Sequence, residues 1–109
     1  MQTNLTTNAV TVKGNVTPEI HEALKTLRQA DWRLEAEYFA FDWDARLELA
    51  EELRATLDDL DDRQADVIAS VAEDLDDEAE DFSTWETRSD AASRVRTVIR
   101  SLKEKAAYA

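Results

Sequence analysis

Residues 31–44 read DWRLEAEYFAFDWD and place Trp32, Tyr38, Phe39, Phe41 and Trp43 within twelve positions, five of the eight aromatic residues in the chain. At about 100° per residue, Trp32, Ala36, Phe39 and Trp43 fall on one side of a helix, and Leu34, Tyr38 and Phe41 fall nearly opposite. Glu35 and Asp42 fill one flank between these faces; Arg33, Glu37 and Asp44 fill the other. A surface helix ordinarily carries one apolar stripe. Two stripes call for two sets of neighbours.

Outward from this stretch the two faces separate. Upstream, Ile20, Ala23, Leu24, Leu27 and Ala30 continue the Leu34 side; downstream, Leu47, Ala50, Leu53, Leu57 and Leu60 continue the Trp32 side. Either a long helix packs on different neighbours at its two ends, or a break lets two shorter helices each bury one side. Asp31 and Asp42 both suit the N-cap of a second helix. An unbroken helix from Pro18 to Leu60 would be roughly 65 Å long, against a radius of gyration of ~13 Å for a compact chain of this size. A break, a dimer or both is therefore expected. Aromatic rings bury large areas, so Trp32, Tyr38, Phe39, Phe41 and Trp43, with Trp85 further on, are expected in the core or at a dimer interface. Their second reading is a partner-binding hot spot.

The rest of the chain predicts an all-α domain, a small bundle of three to four helices with a short non-helical N-terminal tail. Residues 1–16 carry one Lys and no acid. They are expected as a tail, disordered or with one short strand at Val10–Val12 before a Gly14-Asn15 turn. The helical domain spans 17–109. Thr17-Pro18-Glu19 has the cap, the proline and the acid of a helix start, and the first helix is expected to run to about Ala30. The second ends at Leu57-Asp58-Asp59-Leu60-Asp61-Asp62, where acids oppose the dipole of a helix C-terminus. Asp61 and Gln64 form a capping-box pattern ahead of a third helix with the stripe Ile68, Val71, Ala72, Leu75, Ala79 and Phe82. Ser83-Thr84-Trp85-Glu86 fits the same pattern and opens the last helix, whose apolar side holds Trp85, Ala92, Val95, Ile99 and Leu102.

Charge is the most informative bulk property. The 109 residues carry a net charge of −12, which excludes direct binding to phosphate backbones, since that needs clustered Lys and Arg. From Arg88 onward six basic residues face only Asp90 and Glu104. The last helix is thus expected to lie against the acidic third helix and partly neutralise it. No apolar run approaches the ~18 residues of a membrane span, and the N-terminus lacks the basic and apolar regions of a signal peptide. The default location is cytoplasmic.

The sequence predicts no cofactor and no nucleophilic catalysis: there is no Cys, no Gly-rich loop, and His21 is the only histidine. Two tetrapeptides, Glu48-Leu49-Ala50-Glu51 and Glu73-Asp74-Leu75-Asp76, each put two carboxylates on one helix face. They resemble the paired motifs of the all-α nucleotide pyrophosphohydrolases of the MazG type. That resemblance implies Mg²⁺ held jointly by Glu48, Glu51, Glu73 and Asp76. In size, charge and helicity the chain also resembles phage and plasmid inhibitors of restriction or CRISPR systems. The expected function is accordingly that of a non-enzymatic binding protein that does not bind nucleic acid directly but engages the basic surface of a nucleic-acid-handling complex. The residues expected to do so are Glu48, Glu51, Asp58, Asp62, Glu73, Asp74, Asp77, Glu78 and Asp81. The chain is expected to form a homodimer through the spare aromatic face, and a structural or adaptor homodimer, acidic because its host is salt-rich, is the alternative function.

Overall fold

The computed structural model describes residues 18–36 and 42–108. Four helices follow in order: α1 (Pro18–Glu35), α2 (Trp43–Arg54), α3 (Asp62–Asp76) and α4 (Trp85–Tyr108), with a 3-10 turn at Leu57–Asp59 between α2 and α3. No strand occurs among the described residues. The expected tail at 1–16, the cap Thr17, and Tyr38, Phe39 and Phe41 lie outside them.

The hand-off in the aromatic stretch is resolved by a break. α1 continues past Ala30 to Glu35, so Asp31 sits inside a helix and caps nothing. Asp42 takes that role, its carboxylate accepting from the Ala45 amide at 3.0 Å. The Asp61–Gln64 capping box forms with both reciprocal bonds, at 2.8 and 3.1 Å. At α4 the cap is one residue later than the pattern indicated: the Thr84 hydroxyl accepts from the Thr87 amide at 3.3 Å. Ser83 instead donates to Asp81 from its amide and its hydroxyl.

Each helix contributes one stripe to a single core. Ala23, Leu24, Leu27, Ala30 and Leu34 come from α1, Leu49, Ala50 and Leu53 from α2, Ile68, Val71, Ala72 and Leu75 from α3, and Ala91, Ala92, Val95, Val98 and Leu102 from α4. α1 packs on α4 and α2, and α3 packs on α2 and α4, so that α1 and α3 occupy diagonal corners. Ion pairs link all four edges. Arg33 of α1 meets Glu52 of α2 at 2.9 Å, Arg94 of α4 meets Asp74 of α3 at 2.6 Å, and Arg96 of α4 meets Asp31 and Glu35 of α1, both at 3.0 Å. The fourth edge is closed by Arg54 of α2 and Asp76 of α3. α4 therefore neutralises both α3 and α1.

Among the described residues the core is aliphatic apart from Phe82, and of the two places expected for the aromatics, core or dimer interface, Trp32, Trp43 and Trp85 do not take the first. Trp32 is 70% exposed, Trp85 54% and Trp43 39%, while Phe82 is the buried aromatic among the described residues. The reason is geometric. Once α1 turns its Leu34 side inward, Trp32, about 200° away on the wheel, must face solvent. α3 stops at Asp76, so Ala79 is exposed and Phe82 reaches the core from the following loop. On α4, Val98 is buried where Ile99 was expected.

Candidate functional site

The acidic side of the molecule is built on α3 and the loop at 77–84. Around α3, Asp62, Asp66 and Glu73 lie directly opposite the stripe of Ile68, Val71 and Leu75, and all three are exposed. Asp74 and Asp76 lie on the two flanks, where Arg94 and Arg54 of the neighbouring helices reach them. Position on the wheel thus sorts these carboxylates: those on the flanks are paired, and those pointing outward meet no cation among the described residues. Glu51, Asp58 and Glu78 are likewise exposed and without an ion pair. Glu48 stands 3.9 Å from Arg33 with its side chain 71% exposed. The Asp77 carboxylate accepts from the Ala79 amide at 2.9 Å.

Two buried arginines hold the loop that displays the last of these acids. Arg46, 6% exposed, donates through Nη2 to the carbonyls of Asp74 and Asp77 at 3.2 and 3.1 Å. Its guanidinium lies 4.7 Å from the Trp43 ring centroid and 4.5 Å from that of Phe82. Arg88, also 6% exposed, donates through Nη1 to the carbonyls of Phe82 and Ser83 at 2.9 and 3.1 Å, and stands 6.0 Å from the Trp85 ring. The Nε atoms of both remain buried without a hydrogen bond. A charge this far from water costs several kcal/mol unless it is compensated. Here the compensation is carbonyl dipoles, ring faces and nearby acids.

The same arrangement perturbs two groups. Burial lowers the Arg46 pKa from its ordinary value, while the carboxylates of Asp77, Asp81, Glu80 and Asp76 act to raise it. At Asp81 the Ser83 hydroxyl, then the Ser83 amide, hold the carboxyl below its ordinary value.

Sequence reasoning missed this clasp, although a signal was present. Trp43-Asp44-Ala45-Arg46 and Trp85-Glu86-Thr87-Arg88 are two copies of one W-acid-x-R pattern, each at the start of a helix. The i, i+3 spacing lays the arginine over the indole one turn before it. In both copies the arginine then bonds backbone carbonyls at the two ends of the segment that joins α3 to α4, Arg46 those of Asp74 and Asp77, Arg88 those of Phe82 and Ser83.

The carboxylates singled out for magnesium separate: Glu48 turns to Arg33 of α1 and Asp76 to Arg54. No group of three or more His, Asp or Glu fit to hold a metal occurs among the described residues. A 280 Å³ cavity between α3 and α4 is lined by Arg63, Gln64, Val67, Thr97, Arg100 and Glu104, among others, on the side of Gln64 and Ser101, whose side chains bond at 2.8 Å. No described helix is long and apolar enough to cross a membrane.

Fold and surface together define an all-helical bundle with one outward acidic face. No protein-family model, curated protein or solved structure matches the chain.

Proposed function

We propose that the protein is a non-enzymatic binding protein whose acidic face on α3 and the 77–84 loop engages a basic surface of a nucleic-acid-handling complex, in the manner of a nucleic-acid mimic or inhibitor. The observation that carries this reading is the sorting of carboxylates on α3. Asp62, Asp66 and Glu73 project from α3 with no ion-pair partner among the described residues, while their neighbours Asp74 and Asp76 are consumed by the fold. An unpaired row of charge on a fixed scaffold raises encounter rates with a surface of opposite sign.

The test is affinity capture from host lysate at low and at high salt, with wild-type protein and with D62K/D66K/E73K/E78K. Recovery of a basic nucleic-acid-binding protein that salt releases, and that the variant fails to capture, is the expected result. Equal capture by the variant, or no partner at either salt, overturns the reading.

A second reading, a self-associating helical adaptor, is favoured by the exposure of Trp32, Trp43 and Trp85. It places the function in assembly, with the acids serving solvation.

A further inference from the structure

The outer face of α1 differs in kind from that of α3. Opposite the buried stripe of α1 lie His21, Lys25, Arg28, Gln29 and Trp32, all exposed. Lys25 and Arg28 make no ion pair among the described residues. Two acids border the face, Glu22 toward the N-terminus and Glu35 one turn beyond Trp32, the latter held by Arg96 at 3.0 Å. In a chain with a net charge of −12, two unpaired cations flanking an indole that is 70% exposed form a local reversal of sign. Because α1 and α3 stand at diagonal corners of the bundle, this cationic, aromatic face and the row of Asp62, Asp66 and Glu73 look out in opposite directions.

We infer that the α1 face docks on the α3 face of a second copy of the chain. The two faces are complementary in charge: Lys25 and Arg28 meet carboxylates that have no ion-pair partner among the described residues. They are also complementary in shape. Ala69 and Ser70, both small, lie between Asp66 and Glu73 on α3; the Ser70 hydroxyl accepts from Arg94 Nη1 at 2.8 Å on the flank toward α4, so an indole seats on the Ala69 side, between two charged turns. Trp32 lies one to two turns beyond Lys25 and Arg28, a separation of roughly 6–10 Å at 1.5 Å per residue, which matches the step from Asp62 and Asp66 to the Ala69-Ser70 gap. Aromatic side chains ringed by charge are the usual anchors of interfaces. A contact between two different faces is heterologous. It leaves an unused α1 face at one end and an unused α3 face at the other, so assembly continues as an open chain of copies.

The inference rests on the reading of α3 as a docking face and adds a partner for it. It is tested by static light scattering over a concentration series at low and high salt. Wild-type protein is expected to grow beyond a dimer at low salt and to shrink as salt screens the contact. K25E/R28E presents two acidic faces and D66K/E73K two basic ones. Each alone is expected to be monomeric, and an equimolar mixture to associate again, because each variant then supplies the face the other lacks. W32A is expected to weaken association at least tenfold. Circular dichroism of each variant verifies that the helices are retained, which the exposure of every substituted side chain favours.

A wild type that stays monomeric throughout overturns the inference, as does a mixture of folded variants that fails to associate. A dimer that stops at two and is indifferent to D66K/E73K also overturns it, since that is α1 pairing with α1. A monomeric wild type that still captures a basic partner through α3 removes this inference and leaves the proposed function. Association without capture does the reverse.

Discussion

Arg46 and Arg88 are the residues whose removal the fold should feel most among its polar side chains. Each ties two backbone carbonyls of one short segment, and truncation leaves those carbonyls and a hole beside Phe82. A buried polar group deprived of its partner costs ~1–3 kcal/mol, so R46A and R88A are each expected to destabilise the protein by about 2–4 kcal/mol in urea unfolding. R46K should recover little of this. A lysine ammonium cannot bridge two carbonyls while lying flat between two rings. Asp81 gives a pH dependence with a definite sign. Its carboxyl is held below the ordinary value by Ser83, so the stabilisation it lends the loop is complete above the ordinary carboxylate pKa of ~4 and is lost as pH falls through the lower native value. Amide hydrogen exchange at Ser83 should accordingly show lower protection in acid than intrinsic rates account for, and D81N should show that lower protection already at neutral pH.

At the level of the helices, the aliphatic core separates residues that look alike in sequence. Leu34 is fully buried and Trp32 is not. L34A is expected to cost ~2–5 kcal/mol, and W32A less than about 0.5 kcal/mol, by thermal denaturation followed by circular dichroism. A large loss in W32A would mean that the indole packs within the molecule. Helix starts were the most legible part of the chain, because Pro18, Asp42 and the Asp61–Gln64 pair act locally and their partners lie within four residues. The burial of the aromatics was not legible. A helical wheel shows that two faces exist, and only the choice of neighbours decides which one is covered. Leu34 and Trp32 are two positions apart on α1, so the helix itself sets them about 200° apart, and the packing of α1 on α4 and α2 chose the Leu34 side. The clasp was hidden for a different reason: arginine is normally a surface residue, and the burial of Arg46 depends on the carbonyls of Asp74 and Asp77, 28 and 31 residues away at the end of α3. Among the acids, the sequence showed abundance but could not sort them. Asp74 and Glu73 are adjacent, yet only Asp74 lies within reach of Arg94.

For the whole molecule, unpaired charge sets the response to salt. The outward carboxylates of α3 and the loop repel one another, and the net charge of −12 opposes compaction. Raising the ionic strength from about 0.01 M to 1 M shortens the screening length from ~30 Å to ~3 Å. The melting temperature is therefore expected to climb over that range, and D62N/D66N/E73N to climb less, as calorimetry would record. A flat profile would mean that the bridges of Arg33, Arg54, Arg94 and Arg96, which salt weakens, matter more than the repulsion. The exposure of the three tryptophans carries one further consequence, for optical work. With Trp32, Trp43 and Trp85 all reached by water in the folded state, intrinsic fluorescence should already peak near the wavelength of free indole in water and shift little when the chain unfolds. The emission is then nearly blind to folding, and any blue shift at constant helicity reports that something has come to cover the rings.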